Sequence, residues 1–259
     1  MRRFMSVICL VTLLGLSFLS ASFSCEAGPS KGFAIVTFLQ GKAYLLNKGQ
    51  AKGIPLKEQD LLHKENVVNT GNGAIVEIRL PDGSFVRFAE NTNFKVSDLH
   101  YDRETGIRGF KFKLFLGKSW ANVIELMGRK KGFEIASENA VAGVKGTVYR
   151  MNVNKDKSVF IRVYKGSIRV TSPPQETTRP VFEIGGPREV PGPQEVPGPR
   201  EVTLKEWEYI VKEKQEIRIT PDGKALAPIS FLPKEDISVW ALWNKKRDES
   251  IRLNSRGDM

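Results

Sequence analysis

The stretch Glu138–Val153, ENAVAGVKGTVYRMNV, consists of two halves with different patterns. The first half gathers small residues around a single lysine, Lys145, and has two glycines, Gly143 and Gly146, three positions apart. From Thr147 onwards apolar and polar side chains alternate, which is the two-residue period of a strand with one buried face. The stretch therefore predicts a tight corner that leads directly into a β-strand.

The glycine spacing also has to be compared with that of a phosphate-binding loop. Such a loop has four residues between its first glycine and a Gly-Lys-Ser/Thr sequence, and a helix follows. Here two residues separate Gly143 from Gly146, the lysine comes before the second glycine, and a strand pattern follows. We therefore expect both glycines to prevent Cβ collisions at a corner, and Ala140 and Ala142 to fit between packed layers.

Strand patterns recur on both sides of this corner, at intervals of about ten residues, which is typical of an all-β sandwich, barrel or short solenoid. The tight-turn order Pro-Asp-Gly occurs twice, in LPDGS at Leu80–Ser84 and in TPDGK at Thr220–Lys224. The predicted strands are Phe33–Phe38, Lys42–Leu46, Ala74–Leu80, Ser84–Ala89, Phe110–Leu116, Lys118–Ile124, Gly132–Ala136, Thr147–Val153, Ser158–Val163, Ser167–Thr171, Trp207–Val211 and Gln215–Thr220.

The C-terminal part of the chain predicts one short helix. Acidic residues precede it and Lys245–Arg247 are placed at its end, an order that suits the helix dipole. Trp240 and Trp243 are interpreted as covering an apolar core rather than stacking on a ligand. The predicted buried face consists of residues at helical spacing, namely Ile237, Trp240, Ala241 and Asn244.

The N-terminus has the order of a secretory signal. Arg2 and Arg3 precede a long apolar run, and Cys25 and Ala27 occupy the −3 and −1 positions of a cleavage site before Gly28. Residues 1–27 are therefore predicted to be a signal peptide, which would place the rest of the chain outside the cytoplasm.

Two other interpretations of the N-terminus stay open, and both associate the chain with a membrane. The 20 residues Phe4–Phe23 are just long enough for an uncleaved anchor. Cys25 could also be the lipid-bearing first residue of a lipoprotein. With Cys9 in the signal and Cys25 at the cleavage site, we expect no disulfide inside the mature domain.

A proline-rich segment divides the mature chain. Gly186–Thr203 is a threefold hexapeptide, GPREVP, GPQEVP and GPREVT, and prolines at such spacing favour an extended linker or protruding loop over a strand. We predict a β domain at 28–173, the linker or loop at 174–203, and strands and a helix at 204–259 that complete the domain.

The charge of the chain is strongly positive, formally +11, and the surplus is concentrated between Tyr101 and Val170, with fifteen Lys and Arg against six Asp and Glu. Lys111 and Lys113 alternate with apolar residues, so the first interpretation is a solvated outer face of a strand. In an exported protein, anionic lipids, anionic glycans or an acidic partner are better candidates than nucleic acid, which rests on charge alone.

Residues with catalytic or metal-binding chemistry are few. His63 and His100 are the only histidines, and neither has a second ligand residue at metal-binding spacing. The carboxylate pairs Asp98 and Asp102, and Glu134 and Glu138, fit glycoside hydrolysis in principle, but ordinary loop and strand charges explain them more simply. We therefore expect a non-enzymatic protein without metal, cofactor or catalytic site, and an envelope glycan hydrolase stays the alternative.

The sequence resembles the FecR domain family in five motifs that occur in the family's order. The resemblance covers roughly Gly32 to Thr171, and the stretch from Leu204 onwards looks like the usual tail of the domain. The motifs are Thr-Gly-x-x-Ala (Thr70, Gly71 and Ala74), Asp-Gly-Ser (Asp82, Gly83 and Ser84), Leu-x-x-Gly (Leu114 and Gly117), Val-x-Gly-Thr (Val144, Gly146 and Thr147) and Gly-x-Ile/Val-x-Val (Gly166, Ile168 and Val170).

The resemblance implies an all-β extracytoplasmic domain of short, coiled strands, arranged as a sandwich or solenoid. Family members that regulate iron uptake also carry a cytoplasmic segment that handles a sigma factor, followed by a membrane span. Only Met1, Arg2 and Arg3 precede the apolar run here, so we expect a stand-alone exported member without that segment. The leading hypothesis is an interaction or sensing module that binds an envelope protein or an anionic cell-surface glycan through one face of the β domain.

Overall fold

The computed structural model describes residues 32–46, 53–102, 104–125, 132–174 and 207–257. The predicted signal with Cys25 and the hexapeptide repeat lie outside these residues. The strands are β1 (Ala34–Gln40), β2 (Ala43–Leu46), β3 (Ile54–Pro55), β4 (Leu61–Leu62), β5 (Val67–Thr70), β6 (Ile75–Arg79), β7 (Phe85–Phe88), β8 (Asn93–Tyr101), β9 (Arg108–Val123), β10 (Phe133–Ala136), β11 (Val141–Val144), β12 (Thr147–Val153), β13 (Val159–Lys165), β14 (Ser167–Thr171), β15 (Glu208–Lys212), β16 (Gln215–Ile219) and β17 (Ile229–Ser230). A 3₁₀ turn at Pro233–Glu235 and helix α1 at Val239–Gly257 follow, so the prediction of an all-β fold with a C-terminal helix is confirmed.

The strands form one mixed sheet that is folded into two layers sharing β9. Layer 1 has the order β3-β2-β5-β8-β9-β10-β11-β14-β15. Layer 2 has the order β4-β1-β6-β7-β9-β12-β13-β16-β17. The pairing of β9 with β10 is parallel, and the other pairs are antiparallel.

One apolar core fills the space between the two layers. Apolar side chains from strands of both layers belong to the same buried cluster. Phe88 on β7 in layer 2 stacks on Phe94 on β8 in layer 1, with ring centroids 3.5 Å apart. The alternation of buried and exposed residues along most strands therefore corresponds to an inner face and an outer face of each layer.

Strand β9 connects the layers, and it corrects the prediction of two separate strands at Phe110–Leu116 and Lys118–Ile124. Its first half pairs with β8 and β10, and its second half pairs with β7 and β12. Gly117 lies between the halves with φ +105°, and a Cβ there would lie 2.2 Å from Oγ1 of Thr92. A glycine that suggested a strand break in the sequence thus lets one strand bend from layer 1 into layer 2.

The corner predicted from the opening stretch is present between β11 in layer 1 and β12 in layer 2. A Cβ on Gly146 would lie 2.4 Å from Cβ and 2.7 Å from Cα of Glu125, so only glycine fits there. Ala140 and Ala142 are fully buried, as predicted. The prediction for Gly143 is wrong, because a Cβ at that position would meet no atom within 4 Å. It lies on the outer face of β11 rather than in the bend.

The longest strand that the sequence analysis missed is β8. Its residues do not keep a strict two-residue alternation, because the pairing register with β9 shifts at a bulge between Val96 and Asp98. A bulge places one extra residue against the partner strand, so side chains after it change faces. The strand pattern in the sequence is interrupted there although the strand itself continues.

The C-terminal segment adds strands to both layers. Strand β15 pairs with β14, with Thr171 opposite Glu208, and the backbone N–H of Ser172 donates to the carbonyl oxygen of Trp207 at 3.1 Å. The chain therefore leaves layer 1 at Ser172 and returns beside it at Trp207. Strand β16 then pairs with β13 in layer 2.

Helix α1 differs from the predicted helix at both ends. Ile237 precedes the helix and is 72% exposed, so it is not part of the buried face. Lys245–Arg247 lie in the first half of a helix that continues to Gly257, because the polar residues after Asn244 still form contacts with layer 2 on one side. Among the described segments, no helix combines the length and the apolar character needed to span a membrane.

Candidate functional site

The outer face of layer 2 carries a row of large polar and aromatic side chains from six neighbouring strands. Each member lies opposite the next in the strand register. Most of these side chains are buried, although strand alternation places them on the side away from the core. The members of this row, which we call the covered row, are Glu77, Arg87, Trp120, Arg150, Arg162 and Glu216.

Helix α1 covers one half of the row through charged hydrogen bonds. Arg87 is fully buried and donates to Glu77 at 2.6 Å and to Asp248 of the helix at 2.6 Å. The other carboxylate oxygen of Asp248 accepts from the indole N–H of Trp120 at 2.9 Å. Arg247 of the helix donates to Glu77 at 2.9 Å. Two acidic and two basic side chains therefore connect the helix to the strands.

Asp236, just before α1, is the centre of the other half. Its carboxylate lies 3.2 Å from Arg150 and 3.1 Å from Arg162, and it accepts from the hydroxyl of Ser238 at 3.0 Å. The hydroxyl of Tyr164 also donates to it. A single acidic side chain thus connects two strands to the segment that leads into the helix.

Two of the buried carboxylates of this region, Glu77 and Asp236, have pKa values below their ordinary values. Burial by itself would raise the pKa of Glu77, but hydrogen bonds from Arg247 and Arg87 outweigh it, so the pKa lies below its ordinary value. Asp236 follows the same rule, because its hydrogen bond with Tyr164 and the charge of Arg150 outweigh burial and lower its pKa. Both groups are therefore ionised at neutral pH.

Apolar contacts complete the covered face. Trp240 and Ala241 pack with Trp120 in a second buried cluster, and Trp243 lies against Phe38 with ring centroids 5.5 Å apart. The interpretation of Trp240 and Trp243 as side chains that cover an apolar core is confirmed. Layer 2 is consequently closed on its outer side by the chain's own helix.

The outer face of layer 1 is exposed to solvent in the described part of the chain, and we call it the open face. Tyr44 on β2, Phe115 on β9 and Ile210 on β15 are 37%, 46% and 50% exposed there. Lys111 on β9 and Arg169 on β14 have side chains that are 53% and 66% exposed. Lys111 and Lys113 are both exposed, as the interpretation of a solvated outer strand face predicted.

Three lysines lie close together on the open face. Lys95 on β8 is directly opposite Lys113 on β9, and Lys111 is two residues from Lys113 on the same side of the strand. Lys95 forms an ion pair with Glu65 at 2.7 Å, and Lys111 lies 3.8 Å from Glu134. The ammonium of Lys113 is 5.4 Å from the centroid of the Phe115 ring.

Two rows of side chains cross the open face from β9 to β14. The register places small residues, Ala136 and Val141, between Lys113 and Thr171. A second row runs parallel to the first and consists of Lys111, Glu134, Gly143 and Arg169. Because strand neighbours lie about 4.8 Å apart, the floor between the two outermost strands is about 14 Å wide.

The carboxylates considered for hydrolysis each have a separate partner. Asp98 lies 3.6 Å from Lys64, and Glu138 lies 2.7 Å from Lys157. Asp102 accepts from the Thr105 hydroxyl at 2.6 Å within its own turn, and Glu134 pairs with Lys111 as described above. In the described residues no group of three or more His, Cys, Asp or Glu could hold a metal ion, including at His63 and His100.

The covered row could not be predicted from alternation alone, because alternation indicates a solvated face for residues that point away from the core. The sequence feature that could have revealed the row was the size of the residues on that face. Trp120 and Tyr164 occupy outward positions in their strands, where a solvated face seldom has large aromatic residues. Their presence indicated that another part of the chain would cover the face.

Comparison with known proteins gives one family match. Residues 66–169 match the family model described as FecR protein. No curated protein matches the chain. Two crystal structures of a "putative anti-sigma factor" from Parabacteroides distasonis, at 2.50 Å and 1.65 Å resolution, are similar to this chain at 16% and 17% identity, with TM-scores of 0.42 and 0.41. The similarity covers 63% of this chain, and this chain spans 59% of the length of the solved chains.

Proposed function

We propose that the chain is a non-catalytic sensing or interaction module outside the cytoplasm, in the bacterial envelope, and the match of residues 66–169 to the family model described as FecR protein supports this proposal. The observation that carries the proposal is the difference between the two outer faces. Layer 2 is covered by α1, whereas layer 1 presents a wide face with exposed lysines and aromatic side chains.

The covered face gives this module rigidity. Arg87 and Asp248 attach the helix to strands in the middle of layer 2, and β9 belongs to both layers. The open face is therefore held by a continuous network of strands and is preformed before a partner arrives. A preformed face binds with less loss of conformational entropy than one that must be ordered.

The envelope location is supported by the N-terminal sequence. Arg2 and Arg3, an apolar run and small residues before Gly28 have the order of a secretory signal. Two further routes, retention of the Phe4–Phe23 segment and lipidation of Cys25, would also place the β domain outside the cytoplasm.

An intact-mass measurement on separated bacterial fractions tests the location. We expect an extracytoplasmic soluble protein that begins at or near Gly28, or a membrane fraction that carries either acyl chains on Cys25 or the full chain. Full-length protein in the cytoplasmic fraction alone would contradict the proposal.

A second measurement distinguishes a binding module from an envelope glycan hydrolase. Purified protein is incubated with insoluble cell-envelope material and sedimented, and the supernatant is assayed for released reducing sugars. We expect the protein to sediment with the material without releasing sugar. Release that is abolished by Glu134→Gln or Asp98→Asn would show a hydrolase instead. A protein that neither sediments with the material nor acts on it would contradict the binding function.

A further inference from the structure

We propose that the open face binds a linear anionic glycan, which lies along the strands in a shallow trough over β10 and β11. The proposal rests on the proposed function and specifies its partner. The floor of the trough consists of Ala136, Val141, Gly143 and one carboxylate, Glu134, and basic side chains lie at both sides. Its width of about 14 Å, three strand spacings, is sufficient for one extended chain.

The floor has free space at its centre. A Cβ on Gly143 would meet no atom within 4 Å, so the position is open above the strand. Glycine in the interior of a strand lowers stability relative to a residue with a side chain, and it often marks a site where a ligand or another backbone approaches closely. The local fold does not require glycine at this position, and close approach of a ligand would explain it.

The charges beside the trough favour an anion. Lys95 and Lys113 are like charges directly opposite each other on neighbouring strands, and Glu65, 2.7 Å from Lys95, balances only one of the two. In the described chain no carboxylate lies within ion-pair distance of Lys113, while Lys95 and Lys111 have Glu65 and Glu134 as partners. Lys113 is therefore the basic group that can form a new ion pair without breaking one.

Two further charged residues, Arg169 and Glu134, belong to the trough. Arg169, at the opposite side of the trough, is 3.4 Å from Glu208 and has its side chain mostly exposed. Glu134 lies in the floor between Lys111 and Gly143. A chain that lies along β10 and β11 passes over Ala136, Val141 and Gly143 and beside Glu134, and its carboxylates can contact Lys113 on one side and Arg169 on the other.

The shape of the face favours a glycan over an acidic protein. Protein interfaces are usually dominated by large side chains that insert into pockets, and the floor between β9 and β14 offers no large apolar side chain, since it consists of Ala136, Val141, Gly143 and Glu134. Phe115, exposed beside Lys113, presents an aromatic ring of the kind that can pack against a sugar ring. The ammonium of Lys113 can then donate a hydrogen bond to the carboxylate of that sugar.

Calorimetric titration of the mature-length protein tests the proposal with defined probes. The probes are an oligogalacturonate, a neutral dextran of similar length, and polyglutamate. We expect the oligogalacturonate to bind, with an affinity that falls as salt is added, and the dextran to bind much more weakly. Binding of polyglutamate as tight as that of the oligogalacturonate would show a site for acidic polypeptides and would overturn the glycan proposal.

Three variants locate the site. Gly143→Trp fills the floor, and we expect it to weaken oligogalacturonate binding by at least about tenfold, which corresponds to about 1.4 kcal/mol, while the melting temperature stays near that of the wild type. Lys113→Gln should weaken binding several-fold and reduce its salt dependence. Lys155→Gln removes the same charge from an exposed turn between β12 and β13, and we expect unchanged binding.

The negative outcomes separate this proposal from the proposed function. The protein could sediment with envelope material and yet fail to bind oligogalacturonate, or Gly143→Trp could bind oligogalacturonate as tightly as the wild type. Either result would overturn the proposal of the trough and leave the proposed function intact. Absence from the extracytoplasmic fractions, or no association with envelope material, would contradict the proposed function itself.

Discussion

Arg108, the first residue of β9, donates to the buried carboxylate of Asp82 in the turn between β6 and β7. The same carboxylate accepts from the backbone N–H and the hydroxyl of Ser84, each at 2.9 Å. The guanidinium of Arg108 also donates to the carbonyl oxygen of Lys145 at 2.7 Å. One side chain thus joins the Asp-Gly-Ser turn to the corner between β11 and β12, two motifs that are far apart in the sequence.

Replacement of Arg108 tests this connection. We expect Arg108→Met to lower the free energy of unfolding by about 3–5 kcal/mol, because it leaves the carboxylate of Asp82 buried without a cation. The double variant with Asp82→Ala should lose less than the sum of the two single variants, since no unpaired charge remains. Urea unfolding measures all three, with Arg79→Met as a control on an exposed arginine. Additive losses would show that the two side chains are not coupled.

The two glycines of the opening stretch predict opposite results for the same substitution. Gly146→Val places a Cβ 2.4 Å from that of Glu125, so we expect loss of the folded state at room temperature or a strongly lowered melting temperature. Gly143→Val has free space and a strand conformation that suits a β-branched residue, so we expect an unchanged or slightly raised melting temperature. Lys145→Ala, in the same corner, should leave the melting temperature nearly unchanged, because the side chain of Lys145 is exposed. Equal changes of the melting temperature in Gly146→Val and Gly143→Val would contradict the assignment of Gly146 to a corner where only glycine fits.

Asp248 controls the attachment of α1. It accepts from Arg87 at 2.6 Å and from Trp120 at 2.9 Å, so Asp248→Ala should lower the free energy of unfolding by about 2–3 kcal/mol. Hydrogen exchange should become faster in the helix amides over 240–253, while β8 keeps its protection. Glu249→Ala, at the neighbouring exposed position, should change neither measurement. If Asp248→Ala leaves helix exchange unchanged, the helix is held mainly by its tryptophans.

The lowered pKa of Glu77 predicts how stability depends on pH. Its pKa in the folded protein lies below the ordinary value of 4.5, so the unfolded chain binds more protons in the interval between the two values. The stabilisation from Glu77 is therefore fully present above pH 4.5 and is lost as the pH falls through the folded-state value. Asp236, whose pKa is also lowered, contributes with the same sign.

Glu77→Gln separates this contribution from that of other groups. At neutral pH the variant should be less stable than the wild type, because Arg87 and Arg247 lose a charged partner. The difference between the two proteins should shrink as the pH is lowered from 6 towards 3. Chemical unfolding at a series of pH values measures it, and a difference that is constant across this range would contradict the assignment.

Local features of the fold could be predicted from the sequence because they depend on few neighbouring residues. Both Pro-Asp-Gly turns are present, and Gly83 and Gly223 have φ of +88° and +81°, the region that glycine adopts without strain. Most strands between Phe33 and Ile219 were found from their alternation. The prediction of two separate strands on either side of Gly117 and the prediction of Gly143 as a corner residue were wrong, because a glycine alone does not reveal what surrounds it.

The sequence by itself thus determined most of the strands, the turns and the corner at Gly146, since alternation and backbone conformation are encoded over a few residues. Only the tertiary structure decided which outer face is covered. Glu77 accepts from Arg247, 170 positions further along the chain, and this contact turns an apparently solvated strand position into a buried one. The exposure of Lys113 and Gly143 follows from the same packing, because the helix occupies layer 2 and leaves layer 1 open in the described chain.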